Sequence, residues 1–296
     1  MVKYNPKDWF KLIFQFHKSD TFRQLIWAML SVALYAWIIT YLELHYIHPS
    51  KINYAVIYSL LGFVLSLLLV FRTNTAYERW WEGRKAWGSL VNSSRNLSLK
   101  LSAILPEKST ERELFFVLIS NYTHSLRDHL RGKYNHDDLY EFDGFKKEDL
   151  ISHKHNPNYF ALLLHKKINQ LHKENKITEA QLIVINKELE TFTDVCGICE
   201  RIKKTPIPYS YSLFIKKFIF IYVMTMPFAF VNEFGYGVVP LITFVFYALV
   251  SLELIAEEIE DPFGSDSNDL PIDDICKNIK KGSADILEIE NSKMGI

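Results

Sequence analysis

Long uncharged hydrophobic runs dominate two parts of the chain and flank a polar middle region. The runs after Arg23 and after Lys51 each match the roughly 20 residues that a helix needs to cross a hydrocarbon core. Two further runs lie on either side of Glu233, and the first is long enough if Lys216 and Lys217 snorkel to the membrane interface. The pattern predicts four membrane-spanning helices, at residues 24–44, 52–72, 213–232 and 234–254.

The polar middle region carries helix-start signals and hardly any strand-like alternation. One capping-box pattern runs from Thr110 to Glu113 and another from Thr178 to Gln181, and each precedes apolar residues in helical register. Residues 133–157 are rich in Asp, His, Asn and Gly, which favours a surface loop. The sequence therefore predicts an all-α membrane protein with a helical polar domain.

Lysine and arginine residues gather on one side of the four predicted helices, whereas the connections inside the two hairpins together hold one lysine. By the positive-inside rule, we expect both termini and the middle region to be cytoplasmic. We expect the membrane itself to be the cell (inner) membrane, which the chain crosses several times. In chain order we expect an N-terminal segment (1–23), a membrane hairpin (24–72), a helical cytoplasmic domain (73–212), a second hairpin (213–254) and an acidic cytoplasmic segment (255–296).

Charge balance and motif content exclude several function classes. The chain of 296 residues holds 34 Lys+Arg and 34 Asp+Glu, and this zero net charge argues against a nucleic-acid-binding protein. The sequence contains no nucleophile elbow, phosphate-binding loop or paired-histidine zinc motif. We therefore expect no enzyme activity and no nucleic-acid partner.

The spacing of the cysteines and histidines does not match a complete metal-binding motif. Cys196 and Cys199 lie one helical turn apart, and we interpret them as helix-packing residues because no second pair stands at zinc-like spacing. His129 and the pair His153 and His155 are interpreted as solvated polar residues. A metal role for these residues stays an open question.

A four-residue hydrophobic repeat marks one face of the second predicted helix. Phe63, Leu67 and Phe71 share this face, and the repeat continues beyond the apolar run to Glu78, which indicates one long helix. Such a stripe faces lipid or a neighbouring helix, or it lines a pore and gates by dewetting. If Glu78 points inward it favours cations; the alternative is that it pairs with a basic residue of its own helix.

Three stretches of the sequence resemble the signature regions of the bestrophin ion channels in their prokaryotic form. They are FRTNTAYERWWEGRKAWG (residues 71–88), CERIKKTPIPYSY (residues 199–211) and EEIEDPFGSDSNDLPID (residues 257–273). Their order, their separation and the predicted four-helix arrangement also agree with that family. The resemblance therefore covers nearly the whole chain.

The resemblance implies a homopentamer in the lipid bilayer around one central pore that passes small monovalent ions, with chloride or another anion as the default. Phe63, Leu67 and Phe71 would form its hydrophobic neck, and Ile207 with Pro208 the cytoplasmic aperture. Apolar rings carry no charge and cannot by themselves choose anions over cations. A cation-selective channel of the same architecture therefore stays open.

Animal members of this family are calcium-activated chloride channels, and their calcium clasp implies equivalent positions here. Asp266 and Asp269 stand at the acidic positions, and Asp261 and Glu258 stand where carbonyl oxygens contribute. The sequence departs from the animal pattern, with SDSND in place of a continuous acidic run, and its own pattern is more typical of a solvated acidic surface. We expect a channel that requires no cofactor and is not controlled by calcium.

Two functions of other classes stay as alternatives. A secondary transporter needs ionisable groups or broken helices in mid-membrane; Pro227 and Pro240 could break the last two spans, but no charge lies within either. A membrane-anchored enzyme or scaffold would use the cytoplasmic domain, which shows no catalytic constellation.

Overall fold

The computed structural model describes residues 20–47, 54–133, 135–143, 145–152 and 154–290. This part of the chain is helical, with one isolated β-bridge between Phe142 and Phe145. Most of the predicted N-terminal segment, residues 1–19, lies outside the described residues, as does the start of the second predicted span at residues 52–53. The predicted all-α class is confirmed.

Eight α-helices follow one another along the described residues. They are α1 (Asp20–Leu42), α2 (Ala55–Ile104), α3 (Thr110–Arg131), α4 (Asn156–Lys173), α5 (Glu179–Lys204), α6 (Tyr209–Phe234), α7 (Val238–Glu260) and α8 (Ile272–Leu287). A π-helical segment, Glu43–Ile47, continues α1, and three short 3₁₀ helices are formed by His136–Asp138, Lys147–Ser152 and Gly235–Gly237.

Three helical stretches of the described chain are long and apolar enough to cross a membrane. They are Thr21–Tyr46, Ala55–Ile104 and Tyr209–Glu260. The last stretch is divided into α6 and α7 at Gly235, whose φ of 52° and ψ of −132° lie in a region that glycine adopts readily. As a consequence α7 begins at Val238 and not at residue 234.

Two compact units divide the chain. The apolar unit comprises the described residues up to Trp80 together with Pro206–Pro262 and Asp266–Asn268. The polar unit comprises Trp81–Thr205, Phe263–Ser265 and the described residues from Asp269 onward. Helix α2 contributes its first part to the apolar unit and its second part to the polar unit, and its 50 residues confirm the long helix expected from the repeat.

The core of the apolar unit is built from all four of its helices. α1, α2, α6 and α7 each bury apolar side chains in one cluster: Val32, Ala36, Leu65, Leu69, Ile215, Ile219, Val223, Met226, Val238 and Ile242. Many of the remaining apolar side chains of these helices stay exposed, including Trp27 and Phe244. Apolar surface of this extent indicates contact with lipid or with other subunits.

Aromatic side chains fill the core of the polar unit. Trp87 of α2, Phe115 and Tyr122 of α3, Phe160 of α4 and Phe192 of α5 are all fully buried. Helix α3 packs against α4 and α8. The polar unit therefore has a hydrophobic core of its own.

The two predicted capping boxes have different outcomes. Thr178 and Gln181 form the predicted reciprocal pair at the start of α5. At the start of α3 the N-cap is Ser109, whose hydroxyl accepts from the Arg112 N–H, and Thr110 is already helical. Ser109 and Thr110 are both good N-cap residues, so the sequence predicted the start of this helix only to within one residue.

Candidate functional site

One face of α2 exposes apolar side chains within the apolar unit. Phe63, Leu67 and Phe71 are 67%, 45% and 56% exposed in a single subunit. On the opposite face, Leu65 and Leu69 are buried in the core of the unit. The three predicted neck residues therefore form a continuous stripe, about 12 Å long at about 1.5 Å per residue, that is open to lipid, to another subunit or to a water-filled path.

A glycine lets α6 approach α2 next to this stripe. A Cβ on Gly62 would lie 2.9 Å from the hydroxyl oxygen of Tyr222. The same hydroxyl donates to the backbone oxygen of Tyr58 over 3.4 Å. This close packing on one side of α2 leaves the neighbouring Phe63 directed away from the core.

Glu78 follows Phe71 by two helical turns and shares the face of the stripe. Its side chain is exposed, and none of the ion pairs among the described residues involves it. Within one subunit the carboxylate of Glu78 therefore has no counter-charge among the described residues.

The predicted aperture residues differ in exposure. Ile207 is 9% exposed and packs against Ala76 of α2 and Ala256 of α7, whereas Pro208 is exposed. The backbone N–H of Ile207 donates to Glu260 Oε1 over 2.6 Å. Within one subunit, the connection between α5 and α6 is therefore held by the packing of the Ile207 side chain and by the hydrogen bond of its backbone N–H.

A buried group of charges lies directly after the stripe and was not found from the sequence. Arg72, 1% exposed, places Nη1 2.7 Å from Glu260 Oε2 and Nε 3.5 Å from Glu253 Oε2. Arg79 Nε donates to the backbone oxygen of Glu260 over 3.0 Å. Buried charges are stable only when paired, so this group ties the end of α7 to the middle of α2. In the sequence, the only sign of this group is that Arg72, Glu253 and Glu260 stand at the ends of apolar runs.

The residues at the calcium-clasp positions differ in burial. Asp261 and Asp266 are exposed, whereas Asp269 is buried at 1% exposure. In the polar unit, a Cβ on Gly264 would lie 2.7 Å from Asp269 Oδ2. Gly264 therefore gives the Asp269 carboxylate the room that it occupies.

Glu258, the fourth clasp position, is engaged with the protein. Its carboxylate Oε2 accepts a 2.6 Å hydrogen bond from Asn268 Nδ2. The backbone oxygen of Asn268 in turn accepts from Trp80 Nε1 over 3.0 Å. These two bonds order the segment after α7 through protein groups.

The three cysteines are buried and free. Burial raises the pKa of Cys196 and of Cys276 to about 12, and it raises the pKa of Cys199 as well. A thiol held in its protonated form is a poor nucleophile and a poor metal ligand. The burial agrees with the interpretation of Cys196 and Cys199 as packing residues.

The interpretation of His129 and His155 as solvated polar residues is wrong. Both are partly buried, and both hydrogen-bond to Glu200 Oε1, His129 Nε2 over 2.6 Å and His155 Nε2 over 2.8 Å. Burial raises the pKa of Glu200, but hydrogen bonds from His155, His129 and Lys204 outweigh burial and bring it down to about 2. Glu200 lies 71 positions from His129 and 45 positions from His155, so no sequence motif joins the three residues.

Comparison with known proteins identifies relatives along nearly the whole chain. Residues 1–285 match the family described as Bacterial/Fungal Bestrophin protein. A voltage-dependent anion channel-forming protein of Synechocystis sp. is 36% identical over 234 residues, which cover 76% of this chain and 75% of the relative. The voltage-dependent anion channel-forming protein YneE of Escherichia coli is 29% identical over 283 residues, 95% and 92% of the two chains.

Solved structures agree with the sequence relationship. The crystal structure of a bacterial bestrophin homolog from Klebsiella pneumoniae has a TM-score of 0.83 to this chain at 27% sequence identity, and the match covers 90% of this chain and 99% of that one. The helical fold is thus shared over 90% of this chain.

Proposed function

Because the chain belongs to the bacterial and fungal bestrophin family, we propose that it is an anion channel in which five copies surround one central pore. The membrane-spanning character of its apolar helices supports a membrane protein. The relatives whose names describe them as voltage-dependent anion channel-forming proteins support anion passage.

The observation that carries this proposal is the exposed stripe on α2. The exposed side chains of Phe63, Leu67 and Phe71 need lipid or other subunits to cover them. Five copies of the stripe around one axis would make three apolar layers one turn apart. Narrow apolar layers control permeation because ions must shed part of their hydration there. The stripe is then a neck that gates small monovalent ions.

The aperture at Ile207 and Pro208 would form a second constriction. The Ile207 side chain is mostly covered inside the subunit, so the exposed ring of Pro208 and the backbone would contribute much of the wall. Glu260 holds the Ile207 N–H and also pairs with Arg72, the residue after Phe71. We therefore infer that the neck and the aperture move together.

The four spans of each subunit would be α1, the first part of α2, α6 and α7. Basic residues flank these spans on one side, which supports cytoplasmic termini and a cytoplasmic polar unit in the inner membrane. We propose that calcium is not required, since the sequence has SDSND where the animal channels carry a continuous acidic run.

A cation-selective channel of the same architecture is the second candidate. The exposed Glu78 on the stripe face favours it, because five carboxylates at a pore mouth attract cations and repel anions. If Glu78→Gln moves the reversal potential toward chloride, that would show the carboxylate acting on permeant ions.

Alanine substitution along the stripe tests the neck. We expect Phe63→Ala, Leu67→Ala and Phe71→Ala each to change chloride flux from proteoliposomes several-fold while the oligomer, measured by light scattering, stays intact. Phe244→Ala is the matched control, because Phe244 of α7 is 66% exposed, nearly the same as Phe63. Its flux should remain at the wild-type value.

Flux that is unchanged in all three stripe variants would mean that the stripe faces lipid. Saturable, substrate-specific uptake in place of ohmic current would favour a secondary transporter, and complete absence of flux from an intact oligomer would favour a membrane-anchored scaffold.

A further inference from the structure

Three helix ends of the polar unit meet at two imidazoles and one carboxylate. His129 lies in the last turn of α3, His155 is the N-cap of α4, and Glu200 lies near the end of α5. The ligand-capable atoms of these three residues all lie within 4.8 Å of one another. Within the described residues no other group of three or more His, Cys, Asp or Glu side chains comes this close.

The hydrogen-bond partners of each imidazole decide which of its two nitrogens carries the proton. The backbone N–H of Asn158 donates to His155 Nδ1 over 3.2 Å, so Nε2 of that ring carries the proton and donates to Glu200. His129 Nδ1 is buried and has no hydrogen-bond partner among the described residues. The ionised Glu200 carboxylate can only accept, so His129 also carries its proton on Nε2. Binding a cation through this Nε2 would exchange the hydrogen bond to Glu200 for a metal bond and move the proton to Nδ1.

One carboxylate oxygen receives both imidazoles. His129 Nε2 and His155 Nε2 both approach Glu200 Oε1, and the two ring centroids are 4.5 Å apart. Glu200 Oε2 accepts from Lys204 over 3.2 Å, and the Lys204 side chain is 69% exposed and able to move away. A single cation among the three residues would replace both shared protons.

Based on this convergence, we propose that His129, His155 and Glu200 form a zinc site. Two histidines and one glutamate are a common zinc ligand set and leave a fourth position for water. Calcium and magnesium prefer oxygen ligands throughout, so imidazole nitrogens select against them. The site is therefore separate in chemistry from the clasp positions.

Small side-chain movements are enough to admit the ion. Zinc bonds of about 2.0–2.1 Å in a tetrahedron place the ligand atoms about 3.3 Å apart. The present separations of His129 Nε2 and His155 Nε2 from Glu200 Oε1 are 2.6 Å and 2.8 Å. The two imidazoles would therefore retreat by about 0.7 Å and about 0.5 Å. His155 also gives up its bond from Asn158, because its proton moves to Nδ1 when Nε2 binds metal. Zinc would thus clamp the ends of α3 and α5 to the start of α4.

Calorimetric titration of zinc chloride into full-length protein, purified in detergent and stripped with chelator, tests the site. We expect saturable binding that His129→Gln, His155→Gln and Glu200→Gln each weaken at least about 10-fold, since even indirect partners of a zinc site have that effect. His165→Gln is the matched control, because His165 lies on α4 outside the cluster. Its titration should equal that of the wild type.

X-ray absorption at the zinc edge counts the imidazole ligands of zinc in the wild-type protein, so it tests the site even if a variant fails to fold. Scattering from two imidazoles per zinc in the wild-type protein supports the site. Scattering from one imidazole or none, wild-type affinity in folded His155→Gln and Glu200→Gln, or no binding at micromolar zinc, would overturn the proposal.

Discussion

Ile207 and Arg72 are connected through a single carboxylate, that of Glu260. The Ile207 N–H donates to one oxygen over 2.6 Å, and Arg72 Nη1 lies 2.7 Å from the other. Arg72 follows the last residue of the stripe, and Ile207 belongs to the proposed aperture. One side chain of α7 therefore joins the helix of the proposed neck to the backbone of the proposed aperture.

Glu260→Gln is expected to destabilise the apolar unit and to change gating. The amide keeps one bond to Ile207 but leaves Arg72 buried with only Glu253, at 3.5 Å, as counter-charge. Loss of one partner of a buried ion pair costs about 3 kcal/mol. The melting temperature of the detergent-solubilised protein and the open probability of single channels should both fall.

Glu257→Gln is the control for this change. Glu257 pairs with Lys216 over 2.9 Å, but the two side chains are 52% and 46% exposed. Exposed pairs contribute about 0–1 kcal/mol, so stability should hardly change. If the two variants melt alike, the buried charge group does not support the fold.

Gly83→Ala should destabilise the polar unit. A Cβ at this position of α2 would lie 3.0 Å from the ring of the fully buried Phe263 and 3.3 Å from Leu270. A rigid ring in a packed core cannot give way cheaply, so we expect a loss of about 1–3 kcal/mol by chemical denaturation.

Gly197→Ala separates this clash from the general effect of alanine in a helix. A Cβ at Gly197 of α5 meets nothing within 4 Å. Alanine should therefore stabilise this helix by about 0.5–1 kcal/mol. Destabilisation by both substitutions would contradict the packing of Phe263 against α2.

The Glu200 carboxylate should make stability depend on pH in a defined window. Its pKa is about 2 in the folded chain against an ordinary value of 4.5. A lowered carboxyl pKa means that the ionised group stabilises the fold fully above about pH 4.5, and that this contribution is lost as the pH falls toward 2. In chelator, Glu200→Gln should cost about 1–2 kcal/mol at neutral pH.

The free-energy difference between wild type and Glu200→Gln should therefore shrink between pH 4.5 and pH 2. Denaturation at a series of pH values measures it. Glu190→Gln, an exposed position of the same helix, should show no such trend. A difference that is constant with pH would mean that the lowered pKa of Glu200 does not stabilise the fold.

Apolar run length was sufficient to predict the long apolar helices to within a few residues, and four-residue spacing was sufficient to predict the exposed stripe on α2. Ala55–Ile104 is continuous because its apolar and polar halves keep one helical register without an internal proline or a strong cap. The Thr178 capping box was also predictable, since both partners lie in the same turn. Each of these features depends on residues that are close together in the sequence.

Contacts between distant segments could not be predicted in this way. His129 and Glu200 are 71 positions apart, and Glu260 and Ile207 are 53 positions apart. Neither pair has a spacing that a helix or strand repeats, so only the packing of separate helices brings the groups together. The burial of Ile207 against Ala76 and Ala256 likewise depends on three segments.

The reversal potential of the purified channel in a planar bilayer, measured under a potassium chloride gradient, tests the central claim most directly. We expect a value close to the chloride equilibrium potential, and the Glu257→Gln channel should give the same value. A reversal potential close to the potassium equilibrium value would contradict anion selectivity and would assign the selective charge to Glu78.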